Sequence, residues 1–208
     1  SALTITIDTT APDAPTSLTN ISDENDSTPT FEGTAEPNSK VTLNIFSGST
    51  IISTATTTAD SSGDFSVTTS SALDDGQYSV KLTSTDAAGN VSSKSSAISI
   101  TIDTTAPDAP TSLATSATTT SDSTPTIKGI AEANSTITLK DGDDVIGTGT
   151  VDSSGNFSIT LTSELEDGIY SIRATATDEA GNTSKSRSLT TTIDTSTSQL
   201  VQNNLISI

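Results

Sequence analysis

Leu73 to Asn90 reads L-D-D-G-Q-Y-S-V-K-L-T-S-T-D-A-A-G-N, and Leu165 to Asn182 reads L-E-D-G-I-Y-S-I-R-A-T-A-T-D-E-A-G-N. Each stretch opens on an acidic-Gly turn signal, alternates apolar with polar residues after the Tyr, and closes on D-x-A-G-N. Period-two alternation with Ser and Thr between the apolar positions marks a half-buried strand, and the Gly-containing ends mark its turns. A Tyr just after L-x-D-G-x, at Tyr78 and Tyr170, stands where the tyrosine corner of a two-sheet sandwich begins its sixth strand, its hydroxyl pinning the preceding crossover.

Other landmarks recur in the same order on both sides of this pair. D-T-T-A-P-D-A-P-T-S-L occupies Asp8 to Leu18 and Asp103 to Leu113, and T-I-D-T returns at Thr192 to Thr195. S-T-P-T stands at 27–30 and 123–126, A-E-x-N-S at 35–39 and 131–135, and D-S-S-G-[DN]-F-S at 60–66 and 152–158. The chain is one unit written twice. Counting alternating runs and turn signals gives seven strands in the first unit: A near 16–20, B 29–35, C 40–46, D 51–59, E 64–69, F 77–85 and G 91–102. The expected fold is all-β: two tandem seven-stranded Ig-like β-sandwiches joined by short Pro-containing linkers. The expected division is 1–8 (last strand of a preceding repeat, plus linker), 9–103, 104–194, and 195–208 as a C-terminal extension or the start of a next unit. Residues 1–7, SALTITI, match 96–102, SAISITI, which is why they read as the final strand of an earlier repeat.

Composition narrows the chemistry. Of 208 residues, 30% are apolar, too few for one large core but enough for two thin sandwiches. There is no His, Cys, Met or Trp, so imidazole bases, thiolate nucleophiles and nitrogen or sulfur metal sites are excluded, while oxygen ligation of hard cations remains. Eight Lys plus Arg against 26 Asp plus Glu give a net charge of −18, which argues against nucleic acid and against anionic membrane. No apolar run approaches the roughly 18 residues a spanning helix needs, so no membrane insertion is expected. The cations Lys40, Lys81, Lys94, Lys128, Lys140, Arg173, Lys185 and Arg187 form no run in the sequence and read as scattered, solvent-facing guards of strand edges.

The linker I-D-T-T-A-P-D-A-P-T, the G-T-A-E-P-N-S segment, the D-S-S-G-D-F-S turn, L-D-D-G-Q-Y and T-D-A-A-G-N together resemble the bacterial Ig-like repeats of giant surface adhesins exported by type I secretion. The resemblance covers residues 8–194 and stops at S-T-S-Q-L-V-Q-N-N-L-I-S-I, where the Ala-Pro-Asp-Ala-Pro element is missing. It implies an extracellular module on the bacterial cell surface, present in many copies, non-enzymatic, with neighbouring repeats of the same chain as partners and calcium as the stiffening ion.

Sandwich topology gathers the carboxylates at the poles. The B–C, D–E and F–G turns share the pole where strand A begins, and the A–B, C–D and E–F turns share the other. For the first unit the far pole collects Asp23, Glu24, Asp26, Asp74 and Asp75; the near pole of the second collects Glu132, Asp152 and Asp178 beside linker residues Asp103 and Asp108. Asp8, Asp60 and Asp86 hold the corresponding places at the start of the first unit. Like charges so close require wide spacing or a cation, and Ca2+, with about six to eight oxygen ligands, suits irregular loops. Asp in D-G, S-G and A-G-N turns also closes turns with its own side chain, so each of these residues has two readings. Asp60 to Asp64 and Asp141 to Asp144 lack the twelve-residue loop with a terminal Glu and are not EF-hands. Pro12, Pro15, Pro107 and Pro110 restrict the linkers. The competing function is a module that recognises a glycan or host protein through its loops, for which no loop cluster of aromatic or basic residues is present; paired carboxylates alone do not make a hydrolase.

Overall fold

The computed structural model describes residues 3, 5–20 and 24–196. It forms two compact units, Ser1–Thr104 and Thr105–Ile208, each taken by itself below. Asp23 and residues 197–208 lie outside the described residues.

The first unit runs β1 (Thr16–Asn20), β2 (Thr30–Thr34), β3 (Lys40–Ser47), β4 (Thr50–Thr58), β5 (Asp64–Thr68), β6 (Gly76–Thr85) and β7 (Ile98–Ile102). One sheet has the order β1-β2-β5 and the other β4-β3-β6-β7, all neighbours antiparallel. The second unit repeats this with β8 (Thr111–Ala114), β9 (Thr119–Thr120), β10 (Thr126–Ile130), β11 (Thr136–Asp141), β12 (Asp144–Thr150), β13 (Asn156–Thr160), β14 (Gly168–Thr177) and β15 (Arg187–Ile193). Its sheets are β13-β10-β8 and β12-β11-β14-β15-β9, where the two-residue β9 adds a short parallel pairing to the edge of β15. Among its described residues the second unit therefore has eight strands where seven are expected.

Alternation decides which face goes inward. On β3, Val41, Leu43 and Ile45 are fully buried while Lys40, Thr42, Asn44 and Phe46 face out. With Phe31, Phe65, Val67, Val80, Leu82, Ile100 and Ile102 they form the first core; Ile127, Ile137, Leu139, Phe157, Ile159, Ile172 and Ile193 anchor the second. Each fully buried side chain contributes roughly 1.5–3 kcal/mol, and setting the apolar residues on one face of each strand lets so polar a chain assemble a continuous core.

The largest length difference between the units, four residues between Asn38 and Asp60 against Asn134 and Asp152, lies in one hairpin. β3 and β4 have 8 and 9 residues, against 6 and 7 for β11 and β12. Both hairpins turn on a left-handed glycine, Gly48 or Gly142.

Strand G is shorter than the expected 91–102. Its ladder covers only 98–102, with an isolated bridge between Thr85 and Val91. Serine hydroxyls take over between. Ser95 Oγ and Ser92 Oγ accept the β6 amides of Leu82 and Ser84 and donate to the carbonyls of Ser96 and Ser93, so the backbone can bend away while β6 stays satisfied. Ser184 does the same for Ala176 in the second unit.

Four of the eight cations lie on central strands instead of edges. Lys81 lies on β6 and Lys40 on β3, the two central strands of their sheet, and Arg173 and Lys140 hold matching central places on β14 and β11. Edge protection is therefore not the role of these four.

Candidate functional site

The polar chemistry of each unit is concentrated in turns built by aspartates. Asp60 Oδ1 accepts the amides of Ser62 and Asp64 at 2.8 and 2.9 Å, and Asp152 Oδ1 accepts those of Ser154 and Asn156 at 2.9 and 2.8 Å. These turns dock on the preceding strand connection through Ala35 N to Gly63 O and Ala131 N to Gly155 O. At the β6–β7 turn, Asp86 Oδ1 accepts the Asn90 amide at 2.8 Å while Oδ2 accepts Asn90 Nδ2 at 2.8 Å. Asp178 and Asn182 repeat the pair at 2.8 and 3.0 Å. Asn90 Nδ2 also donates to the carbonyl of Asp8 at 3.2 Å, and Asp8 Oδ1 caps the amide of Thr10 at 3.0 Å. The linker is thereby fastened to the turn beneath it.

At the opposite pole of each unit stands a clamp. Asp75 Oδ1 accepts both the amide and the hydroxyl of Thr104, at 2.8 and 2.7 Å, directly after β7. Asp167 Oδ1 holds Thr195 after β15 in the same way, at 2.8 Å for each bond. Next to each clamp, Tyr78 Oη donates to the carbonyl of Asp74 at 2.7 Å and Tyr170 Oη to that of Glu166 at 3.0 Å. Asp103 enters the same region through its own amide, which donates to Glu24 O at 2.9 Å.

These bonds favour the ionised carboxylate. Asp86 is held below the usual aspartate range chiefly by the side-chain amide of Asn90, with partial loss of solvation working the other way. Asp152 is lowered foremost by the Asn156 amide, and Asp167 by the Thr195 amide and then its hydroxyl.

The turn-closing reading of the aspartates thus has direct geometry behind it at Asp60, Asp152, Asp86 and Asp178. Among the described residues no three carboxylates come together as a ready metal site. Oxygen-only donors nevertheless suit a hard cation, and a carboxylate that bonds amides through one oxygen retains acceptor capacity. Sequence reasoning missed Thr104 and Thr195 as functional partners. The recurrent D-T in T-I-D-T was the available signal, since a residue pair repeated immediately after each last strand marks a shared local bond.

The sequence profile of the bacterial Ig-like domain matches residues 4–104 and again 106–195. Among curated protein sequences none matches the chain significantly. Among solved structures, a tetra-tandem repeat from the extending region of a large adhesion protein is 27% identical over 91% of this chain and 51% of its own, with a TM-score of 0.36. The Ca2+-stabilised adhesin that helps an Antarctic bacterium reach out and bind ice is 24% identical over 90% of this chain and 50% of its own, with a TM-score of 0.39. Chicken CNTN1 domains FN1–FN3 are 15% identical over 88% and 68% of the two chains with a TM-score of 0.52, a likeness of fold alone. The chain spans about half the length of the two adhesin structures. With the profile covering both units nearly end to end, the chain belongs to the bacterial Ig-like domain family as two consecutive copies.

Proposed function

We propose that the chain is a non-enzymatic extender module from the stalk of a bacterial cell-surface adhesin, displayed outside the cell and linked to neighbouring repeats of its own kind. The observation that carries this reading is the clamp: Asp75 on Thr104 and Asp167 on Thr195 fix the direction in which the chain leaves each sandwich. A module that transmits position along a stalk needs defined exits, whereas a module that recognises ligands through its loops does not. Residues 1–8 are then the closing strand and linker of a preceding repeat. Their apolar residues support this: Ile5 and Ile7 are 74% and 84% exposed, while their counterparts Ile100 and Ile102 are 7% and 1% exposed.

In this proposal calcium stiffens the junctions between repeats. Asp103 and Asp108 of the linker, with Asp152 and Asp178 of the following unit and Asp74 and Asp75 of the preceding one, supply the oxygens, while Pro107 and Pro110 limit the linker's conformations. Asp8, Asp60 and Asp86 play these parts toward a preceding repeat. The ion would offset repulsion among carboxylates in a chain of net charge −18.

Small-angle scattering tests it. The native chain should change its maximum dimension or flexibility when calcium is chelated, and Asp103→Asn should look chelated in both buffers while each sandwich stays folded. Superimposable curves for native and variant in both buffers would show that linker and packing alone hold the junction.

A further inference from the structure

The first unit gathers its cations on one surface, where Glu24 borders Phe46 toward the β3–β4 turn. Its cations are Lys40, Lys81 and Lys94, and all three lie on the outer face of the β4-β3-β6-β7 sheet. Lys40 is exposed next to inward-facing Val41, and Lys81 lies between inward-facing Val80 and Leu82. Lys94 is placed by its ammonium, 5.3 Å from the centroid of outward-facing Phe46; Lys81 reaches the same ring from 5.9 Å. None of the four strands, K-V-T-L-N-I-F-S, T-I-I-S-T-A-T-T-T, G-Q-Y-S-V-K-L-T-S-T and I-S-I-T-I, contains an acidic residue, although the chain carries 26. Between the cations the face presents hydroxyls and an amide in cross-strand ranks, Thr56-Thr42-Thr83 and Thr54-Asn44-Lys81.

We propose that this face is a binding surface for an acidic polysaccharide chain bearing uronate carboxylates. The two lysines flanking Phe46 take the carboxylates, the ring gives the sugar an apolar floor, and the Thr and Asn ranks hydrogen-bond its hydroxyls. A linear polyanion also releases condensed counterions when it binds cations, a gain that a globular acidic partner such as a second copy of this chain does not provide. One aromatic ring gives no platform for successive bases, which disfavours nucleic acid.

The net charge of −18 does not forbid this, because distance and salt decide what the ligand feels. Lys81 sits mid-strand on β6, about 16–20 Å from the acidic turns at its two ends, by the rise of a strand. The screening length is about 8 Å at 0.15 M salt and about 30 Å at 0.01 M. At physiological salt the face acts locally; at low salt the whole molecule repels. The second unit carries a weaker version, since Asp143 lines the same surface as Lys140 and Arg173.

The test is fluorescence anisotropy of labelled sodium oligogalacturonate titrated with the whole chain in chelator, which removes calcium bridging and keeps the result separate from the junction proposal. Binding should peak near about 0.1–0.15 M salt, weaken near about 0.01 M and vanish near about 1 M. Lys81→Glu with Lys94→Glu should lower affinity about tenfold or more while leaving the melting temperature unchanged. If charge reversal lowers the melting temperature, Lys81→Met with Lys94→Met keeps side-chain length and should still lose binding. Absence of binding at every salt concentration, equal binding by the variants, or equal binding of neutral dextran or duplex DNA overturns the proposal. So does sedimentation showing self-association that the same substitutions abolish, which would assign the face to a second copy.

Discussion

Single residues show where the two copies have diverged. Thr69 is buried, and among the described residues its hydroxyl has no hydrogen-bond partner. Its amide donates to the carbonyl of Pro29, and the corresponding amide to Pro125 in the second unit comes from Leu161, which is also buried. An unpaired buried hydroxyl costs about 1–3 kcal/mol, so Thr69→Val should stabilise the first unit by about 1 kcal/mol or more in chemical denaturation. Gly63 shows the reverse. It sits at a φ of 92°, and an added Cβ would lie 2.5 Å from the carbonyl oxygen of Ala35, against 3.1 Å from that of Ala131 for Gly155. Gly63→Ala should cost about 1–3 kcal/mol, more than Gly155→Ala, as read by the melting temperature of each variant. Acid acts through the clamp. Because the Asp167 carboxyl is held below its ordinary value by Thr195, its stabilisation is complete above the ordinary aspartate range and disappears as pH falls through the lowered folded value. The protection of the Thr195 amide against exchange, taken relative to the intrinsic rate at each pH, should therefore fall in acid, and Asp167→Asn should flatten that dependence.

At the level of elements, β1 to β6 were legible in the sequence, most clearly β3, β5 and β6, where one apolar face alternates cleanly, and the second unit through the landmarks it shares with the first. Two features were not. β9 is two residues, Thr119–Thr120, with no alternation to detect. The bent lead-in to β7 depends on Ser92 and Ser95 acting as ladder acceptors, and in a chain so rich in Ser such positions look like any others. Candidate site residues were visible as aspartates at turns, but composition could not show which of them close a turn with their own side chain; their bonds to amides do. The surface distribution of cations was hidden for a related reason, since residues far apart in sequence become neighbours only once β3 and β6 pair. The crossover before β6 is pinned by one hydroxyl beside the Leu73 amide bond to Ser27 O and the Asp75 clamp. Tyr78→Phe removes the bond to Asp74 O and should cost about 1 kcal/mol, with faster amide exchange confined to residues 70–77.

For the whole molecule, the calcium proposal predicts that millimolar Ca2+ raises the melting temperature more than Mg2+, which keeps its waters and demands octahedral order. Equal melting temperatures in chelator, magnesium and calcium would contradict it. The clamp matters also to how a sandwich bears tension. In the first unit the chain is fastened to the Asp86–Asn90 turn through Asp8 and to the opposite turn through Asp75 and Thr104, with the ten residues of β6 running between. A pull on the two attachments is thus directed along the strands. The bonds between β6 and β7 are then loaded together in shear instead of being peeled open one after another. Cutting the clamp with Asp75→Ala should lower the force at which this unit gives way in single-molecule pulling, because the end of β7 could then lift from the sheet and unzip.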